Sequence, residues 1–183
     1  MSTIVSEIFD LFARFGSDGY GEDLSLERHM LQSAALAESL GAPDKAVAAA
    51  LLHDIGYFLH ADSGASVDAG RDFRHEAIGA AWLARGFDGE VTAPIALHVQ
   101  AKRYLCAVEA NYYDGLSDAS RRSLAVQGGV MSEEEAAAFA KDPAFEAALL
   151  LRRCDDQGKD AEASTRALGD YRGLLIEALR PPG

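Results

Sequence analysis

Apolar residues recur along this chain at spacings of three and four, and most stretches that show the pattern end in a recognisable stop signal. Ile4, Val5, Ile8, Phe9, Leu11, Phe12 and Phe15 mark an amphipathic first helix, ended by Gly16. Gly16 to Asp23 is a Gly-rich loop; its Tyr20-Gly21-Glu22, on local grounds, is a turn with a solvated acid. The second helix runs from about Ser25, which caps it, to Leu40, and Gly41 closes it before Pro43. A third starts near Pro43-Asp44 and carries an apolar run from Ala46 to Ile55 through His53-Asp54, with Gly56 as the point where the backbone leaves. Ala61 to Arg74 has no periodicity and reads as a loop of about a dozen residues, a length often tied to function. His60 stands at its start, off any definable helix face.

His75-Glu76 opens the next helix, with Ile78, Gly79, Trp82 and Leu83 inward and Gly86 as its stop. The following helix begins around Gly89, or at Pro94 since proline is tolerated in a first turn, and reaches Tyr104 or beyond. On it, His98 and Lys102 are four apart and share a face, while Arg103 points elsewhere. Asn111 to Ser117 reads as a loop, followed by a short helix that puts Ser120 and Ser123 on one face, then a turn at Gln127-Gly128-Gly129. Ser132 and Glu135 form a capping box. Asp142-Pro143 starts a helix that ends in Arg152-Arg153-Cys154-Asp155-Asp156, and a last helix spans about Ala163 to Leu179 with Leu168, Tyr171, Leu174, Leu175 and Leu179 as its apolar face. No strand, repeat or linker emerges, so the expectation is one all-α domain over residues 1–183.

Composition narrows the function. A formal charge of -12, from 29 acidic and 17 basic residues, argues against nucleic acid as a partner, though not against a small anion held locally. The two cysteines, Cys106 and Cys154, lie in helix-like apolar contexts and read as buried free thiols. No apolar run approaches the length of a membrane span, and the N-terminus lacks a signal-peptide pattern, so a soluble cytoplasmic protein without a membrane partner is expected.

The candidate chemistry centres on His53-Asp54, where an apolar run ends in two ionisable residues that are expensive to bury unpaired. Imidazole and carboxylate are both good metal donors, but the pair alone equally fits a capped helix end. His29 alone reads as a partly exposed surface residue. Taken together, His29, His53, Asp54, His75, His98 and Asp155 form an ordered series from five predicted helices, using four of the five histidines. A helical bundle can converge such side chains on its centre.

That series resembles the HD-domain superfamily. The segments Leu51 to Gly56, His98 to Cys106, Gln127 to Ser132 and Leu151 to Lys159 are similar, in order, to one subgroup, the HD-domain oxygenases of organophosphonate catabolism. The resemblance implies an HD-type helical bundle in which His29, His53, Asp54 and Asp155 hold one metal. His75 and His98 would hold a second, with Asp54 bridging. Asp155 is chosen over Asp156 because it stands four before Lys159, as in the oxygenases. The implied cofactor is a mixed-valent Fe(II)/Fe(III) pair, with O2 as co-substrate.

The implied reaction is cleavage of the carbon–phosphorus bond of a 1-hydroxyphosphonate, giving phosphate and, from the 2-amino substrate, glycine. An α-hydroxylase of the same pathway would supply that substrate. Lys102 is then the phosphonate counter-ion, Ser120 and Ser123 donate to the phosphonate oxygens, and Gln127 holds the pocket wall. Tyr20 and Glu22 match a lid loop in which Tyr occupies an open iron position and Glu receives the ammonium.

Two departures stand out. The family's Tyr-x-x-Glu is one residue shorter here, and because Glu22 keeps its seven-residue distance to His29 the change falls on Tyr20. Tyr57 replaces the last His of a His-Asp-Ile-Gly-His run, a substrate-side group that now donates a hydrogen bond but carries no charge. Both point to a substrate variant such as the trimethylammonium analogue, which yields glycine betaine. The rival readings are a metal-dependent phosphohydrolase acting on a small phosphate ester or nucleotide, and a non-enzymatic signalling module.

Overall fold

The computed structural model describes residues 3–19, 24–62 and 72–181. Its helices are α1 (Ile4–Phe15), α2 (Leu26–Ser39), α3 (Asp44–Leu52), α4 (Ile55–Asp62), α5 (His75–Leu83), α6 (Gly89–Val108), α7 (Tyr112–Gly115), α8 (Asp118–Val126), α9 (Glu133–Phe139), α10 (Phe145–Gln157) and α11 (Arg172–Glu177), the last entered through a 3-10 turn, Leu168–Tyr171. Among the described residues there is no strand, only two isolated bridges, Gly19 with Ser25 and Phe87 with Leu179. The fold is all-α.

Helix α6 is the axis of the bundle, with α3, α5, α9 and α10 packed on it, while α2 lies against α3 and α10. Ile8 from α1, Met30, Leu51, Leu52, Ile55 from α4 and Ile95 are fully buried in the main core. A smaller cluster covers the other side of α6, where Tyr104, Phe139 and Phe145 pack with ring centroids 5.0–5.6 Å apart. The capping box at Ser132 and Glu135 is present. At the turn after α8, Gly128 and Gly129 have φ of 101° and 69°, a backbone that side-chain-bearing residues rarely adopt.

Several boundaries differ from the sequence reading. The third helix does not continue through His53-Asp54: α3 ends at Leu52, a turn holds the pair, and α4 starts at Ile55. Neighbours on one continuous helix point about 100° apart; the turn lets both side chains face the same interior point. Gly56 is therefore not an exit but part of α4, which carries on through His60 to Asp62, and His60 stacks on Phe73 at 4.3 Å. A Cβ on Gly56 would lie 2.0 Å from the His75 carbonyl oxygen, so glycine is what lets α4 cross α5 this closely. Gly56→Ala is expected to destabilise by about 3 kcal/mol, read as a shift in denaturant midpoint, because the crowding atom is backbone.

On α5, Ile78 is exposed and Ala80 takes the inward place. Helix α6 runs unbroken through Pro94, in its second turn; the acceptor that loses its bond is the carbonyl of Glu90, an exposed residue. The segment expected as a loop from Asn111 contains the single turn α7. Asp142-Pro143 does not open α10: the Asp142 carboxylate accepts the Ala144 N–H at 2.8 Å in a turn, and the helix begins at Phe145. The last helix is shorter than its apolar spacing suggests. Arg28 donates to the Ala161 and Ala163 carbonyls, and Arg166 pairs with Glu38 and lies over Tyr171, so tertiary contacts hold 161–167 out of a helix. Cys154 is buried, but Cys106 is only half-buried.

Candidate metal centre

Five elements bring the donors together. α2 supplies His29, the α3–α4 turn His53 and Asp54, α5 and α6 His75 and His98, and α10 Asp155. All are buried, with His29, His53 and Asp54 at 0% exposure. The surface position expected for His29 on local grounds is thus corrected: α2 turns that residue into the core.

The tautomers follow from the backbone. Nδ1 of His29, His53 and His98 lies 2.9, 2.8 and 2.8 Å from the carbonyls of Gly158, Ala50 and Ile95, and a carbonyl only accepts, so each Nδ1 carries the proton. Each Nε2 is thereby turned inward. His29 Nε2 and His53 Nε2 meet at 3.2 Å, as do His75 Nε2 and His98 Nε2. Asp54 lies between the two pairs: Oδ2 is 3.4 Å from His53 and 3.7 Å from His29, while Oδ1 is 3.2 Å from His75 and 3.8 Å from His98. Asp155 Oδ1 joins the first pair, 3.3 Å from His29 Nε2.

Neither Asp54 oxygen, nor Asp155 Oδ1, has a hydrogen-bond partner although all are buried. Inward-facing lone pairs without a proton donor call for a cation, and separations slightly above 3 Å suit donors sharing one ion at bond lengths near 2.1 Å. His29, His53 and Asp54 form one such group, and Asp54, His75 and His98 another. The arrangement fits a dinuclear site with Asp54 in common, and its donors are nitrogen and oxygen only.

The charges agree. Burial raises Asp54, but His53 and His75 outweigh it and keep the carboxyl ionised. Burial, with His75 and His53 adding to it, drives His98 down to about 3, leaving a neutral imidazole. Burial also lowers His53, yet Asp54 and Asp155 raise it to about 9. A metal ion must therefore displace a proton at neutral pH. Loading at pH 7.5 is expected to release about one proton, and affinity to rise roughly tenfold per unit between pH 6 and 8. Calorimetric titration in two buffers of different ionisation enthalpy checks this.

A cavity of about 450 Å³ opens over the centre and is lined by His75, His98 and Asp155. On one wall Lys102, 2% exposed, donates to Ser123 Oγ at 2.7 Å, Gln127 Oε1 at 2.6 Å and the Ser120 carbonyl at 3.5 Å. Burial and the nearby Arg152 lower Lys102 to about 7. Lys159 Nζ reaches Ser120 Oγ at 3.0 Å. On the other wall Tyr57 stacks on His75 at 4.5 Å and meets Phe73 edge-on at 5.2 Å. Arg103 turns away to Gly129 and Glu135. Tyr20 and Glu22 lie outside the described residues.

Arg152 escaped the sequence reading. It is 3% exposed, lines the cavity and pairs with Asp155 and Asp156. Its position three before Asp155 on one helix was the available signal. Glu76 also lies beside the site, buried, with Oε2 3.5 Å from His75 Nδ1.

The helical bundle and the shared-carboxylate donor set define the class, a dinuclear metalloprotein. The HD domain family matches residues 26–106. The chain is 45% identical to hydroxymethylphosphonate dioxygenase of Gimesia maris, over 91% of this chain and 84% of that one. It is 42% identical to the glycine-betaine-forming [1-hydroxy-2-(trimethylamino)ethyl]phosphonate dioxygenase of Leisingera caerulea, over 88% and 83%. It is also 38% identical to uncharacterized protein L432 of Acanthamoeba polyphaga mimivirus, over 96% and 81%. The chain belongs to the HD-domain family of metal-dependent oxygenases that the two named dioxygenases represent.

Proposed function

We propose that the chain is a non-haem, mixed-valent diiron oxygenase that uses O2 to cleave the carbon–phosphorus bond of a 1-hydroxyphosphonate. The observation that carries this reading is the pair of imidazole couples sharing one buried carboxylate beneath a cavity walled by a buried lysine. The substrate is 1-hydroxy-2-aminoethylphosphonate or its N-trimethylated analogue, and the products are phosphate with glycine or glycine betaine. The overall change, R–CH(OH)–PO3H2 plus O2 to RCOOH plus H3PO4, balances without an outside reductant. Residues 1–183 act as one HD-type domain in the cytoplasm, downstream of an α-hydroxylase.

In this reading His29, His53, Asp54 and Asp155 would hold one iron, and His75 and His98, with the shared Asp54, the other. When bound, the pair supplies O2 activation and a chelating centre for the substrate's hydroxyl and phosphonate. The remaining work falls to the side chains. Lys102 turns an N–H from Gln127 or Ser123 toward a phosphonate oxygen, and its buried charge offsets the anion's. Ser120 and Ser123 donate hydroxyls from the α8 face, Gln127 keeps the lysine aimed, and Arg152 adds positive charge on the same side. Tyr57 covers His75 and offers a hydroxyl, and with Phe73 and Asp72 on the same cavity it suits a cationic nitrogen. By the family resemblance, Glu22 would be the partner of that nitrogen and Tyr20 would serve the metal side of the site; both lie outside the described residues.

Electron paramagnetic resonance of iron-loaded, partly reduced protein tests the reading. A coupled Fe(II)/Fe(III) signal that changes on adding the 1-hydroxyphosphonate is expected; two uncoupled ions, or a signal indifferent to the phosphonate, would contradict it.

A further inference from the structure

Asp155 faces His29 through Oδ1, with Lys159 Nζ 4.0 Å from the same oxygen, and its other oxygen is held. Oδ2 takes Arg152 Nη1 at 2.6 Å. One such bond leaves a guanidinium free to swing about its last torsions. Here its other two nitrogens are also engaged: Nη2 with Asp156 Oδ1, and Nε with Tyr112 Oη at 3.3 Å. Tyr112 Oη in turn donates to Asp156 Oδ2. The three side chains close a ring in which each fixes the other two, and it lies against a guanidinium that is 3% exposed. The turn that delivers Tyr112 is itself unusual. Asn111 sits at φ 67°, in the left-handed region that Asn tolerates, and aims the start of α7 at α10.

We infer that Tyr112 and Asp156 are positioning residues that act through Arg152 to set the Asp155 carboxylate toward the metal pair. The inference rests on the metal reading of the donor groups but needs neither the substrate nor the reaction. Because Asp155 meets the His29 group and not the His75 group, the effect falls on one of the two ions. Contacts that support metal ligands are typically worth 10–100-fold in affinity. The simpler alternative is a structural tie that only fastens the α6–α8 connection to α10.

Titrating metal-free protein with Mn2+ and following the bound ions by electron paramagnetic resonance separates the two. Tyr112→Phe removes one hydroxyl and keeps the ring. It is expected to weaken one of the two ions about tenfold, leave the other within about twofold, and leave the melting temperature of the metal-free protein within about 4 °C. Asp156→Asn should give the same selective loss. In an Asp155→Asn background, Tyr112→Phe should add nothing. Unchanged constants in Tyr112→Phe would overturn the inference, as would equal weakening of both ions with a lowered melting temperature. If wild-type protein binds no Mn2+, the metal reading itself fails; if it binds two ions and the variants match it, only the role of Tyr112 and Asp156 is lost.

Discussion

Asp54→Asn is expected to cost the protein both metal ions and all detectable turnover while leaving its helices in place. Both carboxylate oxygens are used, one toward each imidazole pair, so no single-sided loss is available. Asparagine keeps the volume of the side chain at 0% exposure but replaces one acceptor by an N–H2 pointing at an imidazole Nε2. The core around it, Leu51, Leu52 and Ile55, is untouched. Metal analysis should fall from two ions per chain in the wild type to less than one, with the circular dichroism spectrum unchanged. The contrast with His98→Ala is informative, because that substitution removes a donor from one group alone and should leave the His29 group able to take an ion.

Lys102→Met should raise KM for the phosphonate by roughly 10–100-fold, the worth of a hydrogen bond to a charged group, with a smaller change in metal content. Methionine preserves the length of the stem and removes a charge that burial already disfavours, so the fold is expected to tolerate it. The pH dependence gives the sharper signature. With its value lowered to about 7, Lys102 is cationic below that pH and neutral above it. In wild-type protein kcat/KM for a dianionic phosphonate therefore falls as pH rises through about 7. The substrate's own ionisation affects wild type and variant alike, so the difference between their profiles isolates the lysine, and it should vanish above about pH 8.5.

The donors are legible in the sequence as an ordered series of histidines and aspartates on five predicted helices, but their assignment to two metals came from the family resemblance, since His29 taken alone reads as a surface residue. His98 and Lys102, four apart on α6, needed only that spacing to be placed on one side of the bundle. What spacing could not give was the break between α3 and α4. The run from Ala46 to Ile55 is a good helix on propensity, and it is interrupted so that two neighbouring side chains can face one point and so that Gly56 can slide under His75. The same holds at 161–167, where hydrogen bonds from Arg28 compete with a helix that local pattern favours. Arg152 was hidden for a related reason: an arginine on a helix usually reads as solvated, and only the fold reveals that α10 turns it inward between two aspartates.

Oxidative and hydrolytic release of phosphate differ in stoichiometry. Iron-loaded protein given 1-hydroxy-2-aminoethylphosphonate or its N-trimethylated form under a measured O2 concentration is predicted to release one phosphate for each O2 consumed, with glycine or glycine betaine formed in step. Phosphate released from a nucleotide or phosphate ester with Mn2+ and no O2 uptake, and none released from either phosphonate, would contradict it.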